Sequence, residues 1–306
     1  MKNNMICDLE TGICGEAGNG EMEFIDLNKP KKTITLYYVT DPICSHCWAL
    51  EPVLRKFEEQ YGHHFNIQTV MGGLLENWDG FADVSNGISG TADVAGHWQE
   101  VGEQSRMPID GTVWFENPIQ SSFPPSRVYK IIQKQDDKLA TVFLRRIRES
   151  LFAFNKNIAE DQQMIDVINQ LGLNGADIVK EAHLEKGHQL LNEDFTLARS
   201  LGVRGFPSII MVNQDNKGVK IVGARSLDYY VNGLKQVLSQ DEELLHPKQQ
   251  SPLAELLKKE ELLFSKEIEV MYDIEQKEFD GFIQKELSAD TYELKEVLGE
   301  KYIEKK

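Results

Sequence analysis

Two cysteines separated by two residues are the first candidates for chemistry in this sequence. Cys44 and Cys47 lie in the segment DPICSHCWALEP (Asp41–Pro52). At the start of a helix, the first sulfur meets free backbone N–H groups and the positive end of the helix dipole, which favour thiolate over thiol. Cys47, one turn further on, is placed to attack a mixed disulfide that Cys44 forms with a substrate. The spacing therefore predicts a redox-active dithiol in which Cys44 attacks and Cys47 resolves.

The residue between the two cysteines also bears on this chemistry. An imidazole beside a thiolate can donate a hydrogen bond or supply positive charge. We therefore predict that His46 stabilises the reduced pair and biases it toward oxidising a substrate. The alternative is an exposed loop histidine without a role.

The elements that must position the dithiol form a β-α-β pattern. KKTITLYYVTD (Lys31–Asp41) is rich in β-branched and aromatic residues and predicts a strand, and WALEPVLRKFEEQYG has the apolar spacing of a helix that stops at Gly62. HFNIQTVMGGLL predicts a second strand, and its glycine pair is a weak signal for a close backbone approach. This order favours two parallel strands joined by a right-handed crossover, with the cysteines at the strand–helix junction.

The rest of the chain divides by composition. Helical spacing dominates from about residue 76 to 199, and FPSIIMVN and KGVKIVGA then predict a β-hairpin followed by a closing helix. A polar, proline-containing stretch near residue 241 precedes amphipathic segments and a charged tail. The predicted organisation is an irregular arm (1–30), a discontinuous α/β domain (31–75 and 200–240), a helical insertion domain (76–199), and a linker with a helical C-terminal extension (241–306).

A proline before the hairpin is a second candidate for the site. In Gly205-Phe206-Pro207-Ser208 the X-Pro bond can adopt the cis form and present its backbone edge to the sulfurs. The alternative is an ordinary turn before a strand.

These features together resemble a known family. CSHC followed by Trp48, the spacing from Cys44 to Pro52, the helical insertion and the GFP before a hairpin are similar to the DsbA-like branch of the thioredoxin superfamily. The resemblance implies an α/β fold, with a thioredoxin-like core, a helical insertion domain and a helical C-terminal extension. It also implies a dithiol–disulfide oxidoreductase or isomerase.

The resemblance assigns roles residue by residue. It implies that Cys44 is the nucleophile, that Cys47 resolves, and that a cis-proline at Pro207 holds the substrate chain. Phe206 stands where valine or threonine often precedes that proline. We therefore predict substrate binding by Phe206 and Pro207, together with Trp48, which would also shield the dithiol from water.

Further segments resemble a narrower group. MGGL (Met71–Leu74), DGTVWFENPIQSSFPP (Asp110–Pro125) and FLRRIRESLFAFNKNI (Phe143–Ile158) are similar to the cytoplasmic, FrnE-like subgroup, and to the bacterial adaptors that deliver the regulator Spx to the ClpXP protease. FSKEIEVMYDI (Phe264–Ile274) is similar to the C-terminal region of those adaptors. The implied partners are a protein or peptide thiol or disulfide and a redox recycling partner, or ClpX and an Spx-like client.

The other two cysteines leave alternatives open. Cys7 and Cys14 could join Cys44 and Cys47 in a tetrahedral zinc site, although their spacing is wider than usual for that metal. They could instead form a second disulfide, resolve an oxidised Cys44, or be bystander thiols. We expect no metal at the dithiol and no organic cofactor.

Composition bounds the partners. The net charge of −16 over 306 residues opposes binding to nucleic acid. No apolar run approaches the roughly 18–20 residues that cross a bilayer, and MKNNMICDLETG lacks the features of a secretory signal. A cytoplasmic location without membrane contact is therefore expected, where paired cysteines usually serve catalysis or metal binding.

Overall fold

The computed structural model describes residues 7–8, 13–14, 34–79, 81, 83, 87–238 and 245–306. The strands are β1 (Cys7–Asp8), β2 (Ile13–Cys14), β3 (Ile34–Thr40), β4 (Phe65–Met71), β5 (Ser208–Val212), β6 (Gly218–Val222), β7 (Leu262–Phe264), β8 (Tyr292–Val297) and β9 (Glu300–Lys305). The helices are α1 (Ser45–Tyr61), α2 (Thr91–Ser105), α3 (Val113–Glu116), α4 (Phe123–Gln133), α5 (Asp137–Arg148), α6 (Asp161–Gln170), α7 (Gly175–Ala182), α8 (Glu185–Ser200), α9 (Leu227–Leu238), α10 (Leu253–Glu260), α11 (Ser265–Tyr272) and α12 (Phe279–Glu286).

The N-terminal segment contributes one short antiparallel pair. β1 and β2 lie side by side with Cys7 opposite Cys14. The remainder of the predicted arm and the first residues of the predicted linker lie outside the described residues, so the predicted domain boundaries stay predictions.

A four-stranded sheet carries the dithiol. Its order is β4-β3-β5-β6, with β3 parallel to β4 and antiparallel to β5. β5 and β6 form an antiparallel hairpin, with Ser208 opposite Val222. The predicted parallel pairing, the predicted hairpin and the predicted α/β class are confirmed.

The sheet is covered on both faces, which is what the apolar β3 sequence requires. One face packs against α1 and α9, where Leu36, Phe57 and Tyr230 share a core. The other face packs near the end of α8, where Val39 and Ala198 belong to a smaller cluster. The strand that leads into the dithiol is therefore held firmly from both sides.

The helices between β4 and β5 build a separate and larger core. Trp98, Trp114, Phe143 and Phe152 are buried in it, and Trp48 of α1 belongs to the same cluster. α1 therefore contributes side chains both to the core at the sheet and to the core of the insertion.

The C-terminal extension contains a sheet as well as the predicted helices. The predicted charged tail forms the hairpin β8–β9, and β7 completes a sheet of order β7-β9-β8. Tyr302 and Ile303 point to opposite faces of β9 and join two different cores. The sequence did not predict β9 because its charged residues outnumber these two apolar ones, although the centre of the strand is buried.

Ion pairs join the extension to the rest of the chain. Lys56 of α1 pairs with Asp273 at 2.5 Å, and Arg106 pairs with Glu269 and Glu300 at 2.7 Å each. No helix in the described residues is long and apolar enough to pass through a lipid bilayer.

Candidate dithiol site

The two cysteines occupy the first turn of α1, as predicted. Cys44 is the N-cap residue, and its sulfur accepts a hydrogen bond from the backbone N–H of Cys47 at 3.2 Å. The backbone N–H of Cys44 donates to the carbonyl of Asp41 at 3.2 Å. Cys44 is 5% exposed and Cys47 is 0% exposed, so Cys44 alone of the pair offers any surface to a substrate.

The protonation of the pair differs from the prediction. Burial raises the pKa of the Cys44 thiol, and a hydrogen bond to Cys47 raises it further. Burial also acts against ionisation of Cys47, but the hydrogen bond from Cys44 and the Arg148 guanidinium together lower the Cys47 pKa below its ordinary value. Of the two thiols, Cys47 therefore gives up its proton more readily, and attack by Cys44 requires the Cys44 thiol to lose its proton.

His46 does not supply the predicted positive charge. Burial lowers its pKa, and His97 lowers it further. The two imidazole rings meet edge to face with centroids 5.1 Å apart. His46 is therefore neutral at neutral pH, and any effect it has on the dithiol must come from hydrogen bonding or from its place beside Cys44.

The positive charge near the sulfurs comes from Arg148, which the sequence analysis missed. Its side chain is fully buried at the end of α5. It donates to the hydroxyl of Thr40, to the carbonyl of Asp41 at 3.0 Å, and to Glu51 at 2.5 Å. The sequence signal for Arg148 was the segment RRIRE at the end of a predicted helix. Because the helix dipole favours cations at that end in any case, the segment did not indicate a buried arginine.

Asp41 fastens the loop before the dithiol. Its carboxylate accepts hydrogen bonds from the backbone N–H of Ile43 at 3.1 Å, the backbone N–H of Leu74 at 2.8 Å, and the hydroxyl of Ser122 at 2.8 Å. Burial nevertheless raises the Asp41 pKa to about 6, because desolvation outweighs these hydrogen bonds. The loop is therefore held to the insertion by a carboxyl that titrates near neutrality.

This shift predicts a pH dependence of stability. Because the folded-state pKa of Asp41, about 6, exceeds its unfolded value, Asp41 favours the folded state most at low pH, and that stability is lost as pH rises through 6. We expect the unfolding free energy of Asp41→Asn, relative to the unaltered chain, to rise by about 2 kcal/mol between pH 4 and pH 7. Urea unfolding at both pH values measures this, and a constant difference between the two proteins would contradict it.

An aromatic cavity opens beside Cys44. Its volume is about 570 Å³, and Cys44, His46 and Phe206 lie on its wall. Much of the remaining lining is aromatic: Trp78, Phe81, Trp98 and Trp114. Three of the predicted site residues are thus brought together at one cavity, whereas Cys47, Pro207 and Trp48 do not line it.

The segment before β5 has the predicted backbone geometry. The Phe206–Pro207 peptide bond is cis, and the carbonyl of Pro207 accepts a hydrogen bond from the N–H of Gly223 at 2.8 Å. The ring of Phe206 lies against Gly72, where an added Cβ would overlap the ring. The glycine pair of MGGL therefore marks a close approach, as its sequence suggested.

Trp48 cannot contact a substrate as predicted. It is fully buried, its indole N–H donates to the carbonyl of Pro108 at 2.9 Å, and its ring stacks on Phe152. Phe264 of the extension meets the same ring edge to face with centroids 5.8 Å apart. Trp48 instead packs the dithiol helix against the insertion and the extension.

The contact between Gly72 and Phe206 leads to a second prediction. Gly72→Ala must displace the Phe206 ring from the cavity wall, at a cost of about 1–3 kcal/mol, and should slow reaction of the dithiol with a peptide disulfide about tenfold. Gly96→Ala adds the same methyl group to open space on α2 and serves as the control. Stopped-flow measurement of the reaction rate for the two variants tests this prediction. Equal rates would mean that Phe206 does not contribute to the reaction of the dithiol.

The described residues offer no cluster of three or more histidine, cysteine, aspartate or glutamate side chains suited to a metal ion. The zinc alternative depends on the side chains of Cys7 and Cys14, which lie outside the described residues. That alternative stays open.

Comparison with known proteins agrees with this architecture. Residues 37–232, more than half of the chain, match the family model described as Thioredoxin. The chain therefore belongs to the thioredoxin family.

Similarity to adapter proteins extends over most of the chain. Over 297 residues the chain is 30% identical to the ClpXP adapter protein SpxH of Halalkalibacterium halodurans, which spans 96% of this chain and 94% of that protein. It is 28% identical over 260 residues to the ClpXP adapter protein SpxH of Bacillus subtilis, spanning 84% of each.

Solved structures share the fold. The cytosolic disulfide reductase DsbM from Pseudomonas aeruginosa superposes with a TM-score of 0.51 and 19% identity, covering 67% of this chain and 95% of that one. A Nitrosomonas europaea protein thought to be a disulfide isomerase superposes with a TM-score of 0.56 and 18% identity, covering 68% of this chain and 96% of that one.

Proposed function

We propose that the chain is a cytoplasmic adapter that delivers an Spx-like client to the ClpXP protease. The observation that carries this proposal is the reach of the similarity. The thioredoxin match ends at residue 232, and the disulfide reductase structure covers only 67% of this chain, whereas the H. halodurans adapter covers 96% and so includes the C-terminal extension. The similarity to the adapter therefore includes the C-terminal extension, which lies beyond the thioredoxin match.

The surface beside the extension suits a protein partner. Phe115 is 65% exposed and Leu298, in the turn between β8 and β9, is 52% exposed. Both line a cavity of about 360 Å³ between α2, α3 and that turn. Large apolar side chains that share an exposed cavity are typical of interaction surfaces.

A degradation assay tests the adapter function. ClpXP and an Spx-type client should be incubated with and without the full chain, and we expect the chain to accelerate loss of the client. Phe115→Asp should reduce that acceleration, whereas Tyr229→Asp, which alters an exposed ring on α9 outside this surface, should not. Equal client degradation with and without the chain would exclude the adapter function.

Thiol–disulfide exchange is the second candidate function. The observation that favours it is the opening of Cys44 into the aromatic cavity next to Phe206. The Cys44 thiolate attacks one sulfur of a substrate disulfide and releases the other as a thiol. Cys47 then attacks Cys44, which releases the second substrate thiol and leaves a Cys44–Cys47 disulfide, so that two electrons pass to the substrate. A redox partner must then reduce the pair again, and the reverse sequence oxidises a substrate dithiol.

Trapping tests this second function. With Cys47→Ser the mixed disulfide between Cys44 and a peptide disulfide cannot be resolved and should accumulate. The aromatic lining of the cavity favours a peptide with an aromatic residue next to its cysteine over one with an aspartate there. Mass spectrometry measures the adduct, and absence of any adduct at Cys44 would rule out exchange at this site.

A further inference from the structure

The guanidinium of Arg148 contacts the same backbone carbonyl as the dithiol loop. Its Nη2 atom donates to the carbonyl oxygen of Asp41 at 3.0 Å, and that oxygen also accepts the backbone N–H of Cys44 at 3.2 Å. One oxygen atom therefore separates the guanidinium from the backbone of the nucleophilic cysteine.

A second hydrogen bond holds Arg148 beside the dithiol. Nη2 also donates to the hydroxyl of Thr40, the last residue of β3. Thr40 and Arg148 both lower the pKa of Cys47. Arg148 is thus fixed by two consecutive residues, Thr40 and Asp41, just before the dithiol.

The charge of Arg148 is persistent, and several acidic groups face it. A guanidinium does not lose its proton in proteins, and in a buried setting its field is weakly screened. Glu51 of α1 is its carboxylate partner at 2.5 Å. The phenol of Tyr38 lies at 3.5 Å from Nη1 and stays neutral, because burial raises the Tyr38 pKa. The acidic groups near this guanidinium are therefore Glu51, the Asp41 carboxyl and the two thiols.

We propose that Arg148 is a positioning residue that raises the reduction potential of the Cys44–Cys47 pair, and that Glu51 moderates this effect. Reduction of the disulfide takes up two electrons and, where one thiolate persists, a single proton. Arg148 stabilises the negative charge that remains on the reduced pair, whereas the disulfide carries no such charge. The reduced state is therefore favoured, which makes the pair a stronger oxidant. The inference rests on the thiol–disulfide exchange proposed above as the second function.

Redox equilibration with glutathione tests the proposal. In this reaction two glutathione thiols reduce the Cys44–Cys47 disulfide and become glutathione disulfide. The full chain is equilibrated in buffers of stepped glutathione ratio, alkylated, and analysed by mass spectrometry of the peptide that contains both cysteines. Arg148→Met should lower the equilibrium constant for reduction about tenfold, equivalent to about 30 mV, and Arg148→Lys should restore part of it.

A second variant should change the equilibrium constant in the opposite direction, which distinguishes this role from simple structural damage. Glu51→Gln removes the counter-charge and should raise the same equilibrium constant, whereas Thr40→Val should lower it. Arg146→Met is the matched control, because Arg146 lies on the same helix but pairs with Glu149 and Glu261. Its constant should equal that of the unaltered chain.

Two results would overturn the proposal. One is a shift of the same sign for Arg148→Met and Glu51→Gln, and the other is an unchanged constant in both. If Arg148→Met does not fold, Glu51→Gln and Thr40→Val decide the question with their opposite shifts. If the Arg148 proposal is wrong, Cys47→Ser should still form the trapped adduct. If the unaltered chain never forms the Cys44–Cys47 disulfide, thiol–disulfide exchange itself is contradicted.

Discussion

Cys44→Ser is expected to abolish thiol–disulfide exchange completely. A serine hydroxyl is not ionised at neutral pH and cannot form a mixed disulfide, and Cys47 is too deeply buried to replace Cys44 as the nucleophile. Turnover of a peptide disulfide, followed by the release of thiol, measures the loss.

The same variant also distinguishes the two proposed functions. An adapter recruits its client through surface complementarity, so Cys44→Ser should still accelerate client degradation by ClpXP. Residual exchange in Cys44→Ser would mean that another cysteine reacts, and repetition with Cys7→Ser, Cys14→Ser or Cys47→Ser added in turn would identify it. Loss of client delivery along with exchange would mean that the dithiol is part of the client-binding surface.

Arg145→Met is expected to destabilise the fold by about 3–5 kcal/mol. Arg145 pairs with Glu149 at 2.8 Å and with Glu267 of the extension at 2.7 Å, and all three side chains are buried. Its guanidinium also lies over the ring of Trp48 at 4.7 Å. The substitution removes one cation from each of two buried carboxylates, which leaves Glu149 with Arg146 and Glu267 with Arg55 at 3.9 Å, and this loss is more costly than that of an exposed ion pair.

Chemical denaturation monitored by tryptophan fluorescence measures this effect. The control is Lys285→Met, which removes an exposed pair with Glu286 and should change stability by no more than about 0.5 kcal/mol. A loss of similar size in both variants would mean that burial of the Arg145 network contributes little.

Local sequence was sufficient to predict the framework of the site. The strand before Cys44 and the helix after it follow from β-branched density and apolar spacing, because these patterns act over a few neighbouring residues. The spacing of Cys44 and Cys47 placed both residues in one helical turn, and the structure shows the Cys47 backbone N–H donating to the Cys44 sulfur there. Pro207 was identified from its place before a strand, since only an X-Pro bond adopts the cis form readily.

Prediction failed where a residue's role depends on what burial brings against it. Trp48 was assigned to the substrate but lies in the insertion core, because nothing in its neighbours reveals which face of α1 the insertion covers. The strand β9 was missed for the same reason, since its two central apolar residues pack against elements that are far away in the chain.

The order of elements, the position of the dithiol at a helix start and the proline before the hairpin were determined by the sequence alone, because each depends on residues close together in the chain. The charge state of the dithiol was decided only by the tertiary structure. His46 is adjacent in sequence but loses its charge through desolvation, whereas Arg148, 107 positions from Asp41, keeps its charge and contacts that residue's carbonyl. Electrostatic effects depend on distance and burial in space, and a linear sequence contains neither.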